Sequence, residues 1–165
     1  MTNLLDAPLI LATRRNHGLE HATIHILSGQ FPGKALAGHS NPRGFFILGD
    51  VPTESVREAA TEALARMRNG ESKLAVHPGC GTNYVVAGAL AGTLAWLGMT
   101  GAKTGRQRLD RLPLVIMLSM VGFMVSQPLG PVIQQRITTS GNPGGLVIVE
   151  VYPVRKGVHR IVTQG

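Results

Sequence analysis

Two long stretches without any charged residue dominate the pattern of apolar and polar positions along the chain. They cover residues 83–102 and 112–133. An α-helix needs roughly 20 residues to cross the hydrocarbon core of a bilayer, and each stretch is that long. The segment between them, KTGRQRLDR, is basic and too short to form a domain. The pattern therefore predicts a transmembrane helical hairpin, and the alternative is a buried helical hairpin of a soluble protein.

Glycine and proline positions add detail to this predicted hairpin. Gly88 and Gly92 are four residues apart, a spacing of small residues that lets membrane helices approach closely. Pro128 and Pro131 lie near the end of the second stretch. Since proline lacks a backbone donor, we expect these two residues to kink or end that helix.

Shorter segments with helical or alternating patterns lie on both sides of the hairpin. Asp6 and Thr53 are the expected helix caps, because short polar side chains accept bonds from the first free N–H groups of a helix. The last two strands are expected to form a β-hairpin. The patterns predict helices over 8–28 and 54–69, and strands over 44–49, 73–76, 145–153 and 158–163.

These elements together predict an α+β fold in which both ends of the chain contribute to one domain. Residues 1–82 supply its N-terminal part, and residues 134–165 supply its C-terminal β-hairpin. Residues 83–133 form the transmembrane hairpin. The small α+β domain is expected to lie outside the membrane, on one side of it.

Composition narrows the classes of function. The chain carries 16 Lys and Arg against 9 Asp and Glu, for a net charge of +7. The basic residues are spread along the chain and no nucleic-acid-binding motif accompanies them, so no nucleic-acid partner is expected. A basic protein facing anionic lipid is the simpler interpretation. The single cysteine, Cys80, excludes an intrachain disulfide.

Candidate chemistry is concentrated in the first predicted helix, which contains the sequence HGLEHATIH. His17 and His21 are four residues apart and therefore project from the same face of a helix, with Glu20 beside them. His25 lies at the edge of this polar stripe and is expected to be structural, while apolar residues such as Leu19 lie roughly opposite. We expect a helix of this kind to present its polar side to a ligand or a partner segment.

The spacing H-x-x-E-H is that of the inverted zinc-peptidase motif. Two neutral imidazoles one turn apart can bind one divalent metal, and the adjacent carboxylate can take a proton from a metal-bound water. His77 and Cys80, in the turn sequence HPGCGTN, are candidates for further ligands, since imidazole and thiolate both suit zinc. The predicted site therefore has Glu20 as general base and the metal ligands His17, His21, His77 and Cys80.

Each of these residues also has a purely structural interpretation. His17 and His21 can be interfacial or core histidines that form hydrogen bonds within the fold. Glu20 can orient a histidine rather than act as a base, and Cys80 can be a small buried hydrophobic residue. His39, in the predicted loop GHSNPRG, is a weaker candidate ligand than the other four.

Three segments resemble an uncharacterised family of bacterial membrane proteins found in cyanobacteria and other phototrophs: HGLEHAT (17–23), GFFILG (44–49) and LAVHPGCGTN (74–83). The chain is also similar, more distantly, to the YqhQ-like membrane proteins, which pair an HGAEH motif with an RCGT segment and are described as predicted metal-dependent enzymes. Gly79 stands where the resemblance implies a basic residue. The resemblance implies no particular reaction, but it implies one site made of His17, Glu20, His21, His77 and Cys80.

Two functions are open at this point. The first is a membrane-associated, zinc-dependent hydrolase or peptidase with Glu20 as catalytic base. The second is a non-catalytic accessory or assembly subunit of a membrane complex, for example a photosynthetic one, in which the cluster binds a structural metal or is purely structural. Zinc or another divalent transition metal is the expected cofactor. The lipid bilayer, other membrane subunits or a second copy of the chain are the expected partners.

The expected location is the bacterial cytoplasmic or intracytoplasmic membrane, with two spans. Cytoplasmic loops are enriched in Lys and Arg, so four basic residues between the spans favour a cytoplasmic loop: Lys103, Arg106, Arg108 and Arg111. Against this, the N-terminal sequence lacks a basic start and a small-residue cleavage site, so we expect no signal peptide to export the first 82 residues. The termini are therefore expected in the cytoplasm.

Overall fold

The computed structural model of the chain describes residues 4–165, which divide into two compact units. The first unit contains the chain up to His77 together with Gln134–Gly165, and the second contains Pro78–Ile133. The predicted α+β class is confirmed, because the described residues form five α-helices and a four-stranded antiparallel sheet. The predicted domain boundaries, 1–82, 83–133 and 134–165, concern segments that fold as domains, and they stay a prediction.

The sheet of the first unit is assembled from both ends of the chain. Its strands are β1 (Ala37–Asn41), β2 (Gly44–Leu48), β3 (Val147–Arg155) and β4 (Val158–Gln164), in the order β1-β2-β4-β3. All neighbouring strands run antiparallel, and the central pair places Phe45 of β2 opposite Ile161 of β4. The last three strands match predicted segments. β1 was not predicted, because its sequence AGHSN lacks the branched and aromatic side chains typical of strands.

Two helices pack with this sheet, α1 (Pro8–Gln30) and α2 (Thr53–Arg68). Their shared core contains side chains that are fully buried, each of which contributes roughly 1.5–3 kcal/mol when it leaves water. The largest of these include Leu19, Leu27, Phe45, Ile47, Val56 and Ile161.

The ends of these helices differ from the prediction. Asp6 lies in a 3-10 turn, and α1 begins with Pro8, so that Ala7, which has no polar side chain, stands at the cap position. Thr53 is itself the first residue of α2, and its hydroxyl contacts His159 Nδ1 at 3.1 Å. Neither helix has a side-chain cap, so both predicted caps are wrong.

The predicted strand over 73–76 is also wrong. Ser72–Ala75 form a 3-10 turn, and Val76 and His77 follow it in extended or irregular backbone. A strand there would use its main-chain carbonyl groups in a sheet, whereas these carbonyl groups accept hydrogen bonds from side chains of α1.

The second unit is a helical hairpin. Its helices are α3 (Gly81–Met99), the short α4 (Gly105–Asp110) and α5 (Leu112–Ile133). α3 packs on α5, and a Cβ on Gly122 would lie only 2.8 Å from the Cα of Ala91. Gly88 and Gly92 have open space instead. The close approach that the sequence predicted is therefore made by a different glycine.

α5 is the most apolar helix of the second unit. Pro128 and Pro131 do not end it, since the helix continues to Ile133 and passes into a π-helical turn over Gln134–Thr138. Among the described residues, one helix, Leu112–Thr138, is long and apolar enough to cross a membrane by length and composition. α3 carries no charge, but its glycines, threonines and Asn83 lower its mean hydropathy. Two spans stay a prediction.

Candidate metal centre

The histidines of α1 lie in the part of that helix that is enclosed on all sides. From Asn16 to Leu27, every residue is buried except His17 and His25, which are half-buried. The sequence predicts that α1 presents its polar side to a ligand or a partner segment, and segments of the same chain contact it here. The polar side is covered by other segments of the same unit, and its groups form hydrogen bonds there.

Four imidazoles form a row inside the first unit. Ring centres are 4.4 Å apart between His17 and His21, 5.8 Å between His21 and His77, and 4.6 Å between His25 and His77. We call these four residues the histidine row. The structure thus brings three predicted ligands together and adds His25. The signal for His25 was present in the sequence, because a spacing of four residues repeated twice places three histidines on one helix face.

Main-chain carbonyl groups determine which nitrogen of each α1 imidazole carries a proton. The contacts are His17 Nδ1 to Thr138 O at 3.0 Å, His21 Nδ1 to Ala75 O at 2.8 Å, and His25 Nε2 to Val76 O at 2.9 Å. A carbonyl oxygen only accepts, so each of these ring nitrogens donates. In the neutral ring the other nitrogen then carries a lone pair. Metal-binding histidines commonly show this arrangement, with the second ring N–H donated to a carbonyl or carboxylate.

His77 is held in its neutral form. Burial, followed by repulsion from His25 and His21, lowers the pKa of His77 to about 4. The main-chain N–H of His77 donates to Oε1 of the fully buried Gln134 at 3.0 Å. A neutral imidazole is the form that binds metals, so the environment of His77 suits a ligand.

The separations in the histidine row fit a shared metal. Two imidazoles on one tetrahedral zinc, each at a Zn–N distance of about 2.0–2.1 Å, have ring centres roughly 5 Å apart. The ring separations of the row scatter around that value, and a ring nitrogen of His17 lies within 4.8 Å of one of His21. By ring centres, His21 lies between His17 and His77, and it is with His17 that its ring nitrogen is close enough to share an ion.

Glu20 projects toward strand β1. Its carboxylate accepts a hydrogen bond from the hydroxyl of Ser40, and a Cβ on Gly38 would overlap that carboxylate. Burial raises the pKa of the Glu20 carboxyl above its usual value, although the Ser40 hydrogen bond and the nearby His17 and His39 act in the opposite direction. Glu20 is therefore a buried carboxylate with an increased tendency to hold a proton, next to the His17 end of the row.

The two other residues that the sequence singled out lie outside the row. His39 is exposed on β1, opposite Phe46, and it acts on Glu20 only through its charge. Cys80 belongs to the second unit, where it is buried and immediately precedes α3. Its part in the metal site stays a prediction.

The fold and the site together define an α+β protein with a histidine cluster in its interior and an apolar helical hairpin inserted in its sequence. The chain belongs to the family described as Domain of unknown function (DUF6391), which matches residues 12–151. It is 32% identical over 149 residues to an uncharacterised protein of the cyanobacterium Picosynechococcus sp. (strain PCC 7002), an alignment that covers 79% of this chain and 67% of that relative. No solved structure matches the chain. The resemblance to an uncharacterised family with a cyanobacterial member is thereby confirmed.

Proposed function

We propose that this protein is a membrane-anchored metalloprotein that binds a divalent transition metal, such as zinc, at the histidine row and hydrolyses a substrate there. The observation that carries the proposal is the pair of carbonyl contacts to His17 and His21. In the neutral ring each contact leaves the lone pair on the second nitrogen, and this is the form of imidazole that binds a metal.

The surface of α5 supports the membrane part of the proposal. Only 11% of the most apolar window of this helix is buried. Met117, Met120, Phe123 and Met124 are 62%, 60%, 55% and 68% exposed. A soluble protein rarely leaves so much contiguous apolar surface in water. Lipid chains suit this surface, and we extend the proposal to α3, which packs on α5 and carries no charged residue.

The ligands that we propose are His17, His21 and His77, with Cys80 as a fourth. Cys80 follows His77 by three positions, a separation that the chain spans in at most about 11 Å. When bound, zinc would supply a Lewis acid that lowers the pKa of a coordinated water to about 7. Three protein ligands would keep one position open for that water, whereas four would close the site.

Glu20 is the proposed general base. Its raised pKa suits a group that accepts a proton and later releases it, and Ser40 holds its carboxylate in place. The resemblance of HGLEH to the HGAEH motif of the YqhQ-like proteins supports the same set of roles, and Gly79 is the position where the two patterns differ. A positioned general base typically contributes about 10²–10⁴-fold to a rate.

One observation favours a second candidate, an accessory or assembly protein with a structural metal. The carboxylate of Glu20 is already engaged by Ser40 and lies against Gly38, as expected for a residue that holds helix α1 to strand β1. In this alternative the metal would fix the histidine row, and the bilayer-facing helices would bind other membrane subunits or a second copy of the chain.

Metal content is the first test. We expect about one zinc or other divalent transition metal per chain, measured by mass spectrometry of full-length protein purified in a non-ionic detergent without metal-affinity chromatography. His21→Ala should lose the metal, because His21 is at the centre of the row. His39→Ala is the matched control, since His39 is an exposed histidine outside the row. Metal-free wild-type protein, or equal loss in both variants, would contradict the proposal.

The two candidate functions differ in what Glu20 and Cys80 do. For a hydrolase, Glu20→Gln should keep the metal and reduce turnover of fluorogenic peptide or ester substrates by at least about 100-fold. For a structural metal, Cys80→Ser should lower metal occupancy and the midpoint of thermal unfolding together. No turnover in the metal-loaded wild type, combined with the Cys80 effect, would decide for the accessory role.

A further inference from the structure

The first unit contains a cavity of about 540 Å³ that the histidine row does not use. It lies between the end of α2, the 3-10 turn Ser72–Ala75 and the segment 139–142, with Arg14 of α1 at its wall. Sites for small molecules usually measure about 300–1,000 Å³, so the cavity has the size of a ligand site.

The charged side chains that line the cavity are all positive, and its neutral polar side chains can donate hydrogen bonds. Arg14 and Arg68 supply two guanidinium groups, and none of the described residues that line it is acidic. Hydroxyl and amide side chains complete the polar lining: Ser72, Thr139, Ser140, Gln135 and Asn142. A cavity with positive charge, many donors and no carboxylate is suited to an anion.

Both guanidinium groups are held in place by main-chain oxygens. Nη2 of Arg14 donates to the carbonyl groups of Arg136 and Thr139 at 3.0 and 3.1 Å. Nη2 of Arg68 donates to Leu146 O at 2.7 Å. An arginine has five N–H donors, so each keeps further donors, and the buried Nε of Arg14 has no partner among the described residues. The charges are therefore positioned before any ligand arrives.

The opposite wall is a close contact between two main-chain segments. A Cβ on Gly141 would lie 2.7 Å from the Cβ of Ser72 and 2.9 Å from its carbonyl oxygen, so this position accepts only glycine without a shift. Ser140 and Asn142 bond each other through Ser140 Oγ at 3.0 and 3.3 Å. The turn over 140–142 is thus held by its own hydrogen bonds and by close contact with Ser72.

We propose that this cavity binds a phosphoryl group, with Arg14 and Arg68 on its oxygens and Ser72 and Asn142 as further donors. A tetrahedral oxyanion has more acceptor oxygens, pointing in more directions, than a planar carboxylate, so it can use more of these donors at once. The phosphoryl group comes either from free phosphate or from a phospholipid headgroup. A phospholipid headgroup is considered because Gln135, which lines the cavity, comes two positions after the end of the apolar helix α5. The proposal does not rest on the metal, although Ala75 and Val76, whose carbonyl groups contact His21 and His25, also line the cavity.

Calorimetric titration of the full-length protein in a non-ionic detergent tests this site. The ligands are inorganic phosphate, dihexanoyl phosphatidylglycerol below its micelle concentration, and succinate as a carboxylate. We expect saturable binding of phosphate, of the lipid, or of both. Binding of inorganic phosphate identifies a soluble source, and binding of the lipid alone identifies a headgroup.

Two arginines on α2 provide a matched pair for the titration. Arg68→Gln should weaken binding by at least about tenfold, because a charge-assisted contact is lost. Arg66→Gln removes the same charge two positions away, where Arg66 pairs with Glu62 and Glu71 outside the cavity, and it should change affinity less than about twofold. If Arg68→Gln does not fold, as judged by thermal unfolding, Asn142→Ala replaces it.

Three outcomes would overturn the proposal. The first is no saturable binding of phosphate or lipid by the wild type. The second is an equal loss in Arg66→Gln and Arg68→Gln, which would indicate attraction by net charge alone. The third is binding of succinate as tightly as phosphate, which would make the site a general anion site.

Discussion

The first unit keeps polar side chains inside, whereas the second unit keeps apolar side chains outside. Glu20 and His21 are 4% and 2% exposed, and Gln134 is fully buried. Met120 and Met124, in contrast, are 60% and 68% exposed. In the first unit, these buried polar residues form hydrogen bonds with main-chain and hydroxyl groups instead of with water. In the second, no such partner is needed, because the exposed groups suit an apolar surrounding. The polarity of a side chain therefore indicates whether it needs hydrogen-bond partners. It does not by itself indicate whether the side chain is buried or exposed.

A charge on the surface of α5 should have the largest effect on this comparison. An arginine at the centre of a spanning helix costs about 2.5–3.5 kcal/mol, so Met120→Arg should lower the equilibrium constant for membrane insertion roughly 100-fold. The measurement is the share of the chain that stays with membranes after an alkaline carbonate wash. Met120→Leu should behave like the wild type. If carbonate released the wild type from membranes, the exposed face of α5 would not be in contact with lipid, and the contrast between the two units would need another explanation.

Overfilling the interior of the first unit should have the next largest effect. A Cβ on Gly18 would overlap the carbonyl oxygen of Ser140, so Gly18→Ala should destabilise the protein by about 1–3 kcal/mol. Gly29 lies on the same helix with open space around it, and Gly29→Ala should stabilise by about 0.4–1 kcal/mol. Thermal unfolding followed by circular dichroism measures both. Equal midpoints for the two variants would show that α1 is not enclosed as described.

The same substitution in the second unit should have a smaller effect. Gly122→Ala brings a methyl group to 2.8 Å from the Cα of Ala91, and we expect a cost near the lower end of the range, about 1 kcal/mol. Gly88→Ala enters open space on a helix, as Gly29→Ala does, and should stabilise by about 0.4–1 kcal/mol. If Gly88→Ala proves the more harmful of the two in the same unfolding assay, the hairpin packs through the face that carries Gly88.

The membrane orientation of the hairpin can be tested with a cysteine in its exposed loop. Thr104 is exposed in the loop that caps α4, so Thr104→Cys should cost about 1 kcal/mol and leave every loop charge in place. With cytoplasmic termini, a membrane-impermeant maleimide should label this cysteine in intact cells. Lys34→Cys in the first unit should stay unlabelled, and the buried Cys80 should give little background. The reverse pattern would place the termini outside.

Helices could be predicted from the sequence because their signals are local. The expected helix over 8–28 is observed as Pro8–Gln30, and the stretch over 112–133 is observed as Leu112–Ile133. Pro8 marks the start of the first helix, and the absence of charged residues marks the second, so a short segment of sequence was enough to predict each. The strands β3 and β4 were found for the same reason, since an alternating apolar pattern flanks a turn.

The candidate site was found only in part, because its partners are distant in sequence. His17 and His21 were recognised from their spacing, but the carbonyl groups that face them belong to Thr138 and Ala75. No local sequence pattern indicates that these carbonyl groups accept hydrogen bonds from histidines. The apolar residues of 73–76 therefore suggested a strand, although Ser72–Ala75 form a 3-10 turn. Gln134 escaped notice for the same reason, since its contact with the N–H of His77 joins two segments separated by the whole hairpin.

The contact between His17 and Thr138 also bears on how the protein is made, because these residues are 121 positions apart. A ribosome adds about 5–20 residues each second, so His17 waits roughly 6–24 s for its acceptor. During that interval α3 and α5 are synthesised, and β4, which completes the sheet at β2, follows later still. The nascent chain thus carries an unfinished sheet edge after α3 and α5 have been synthesised. A site that needs the His17–Thr138 contact is therefore complete only after translation of residue 138.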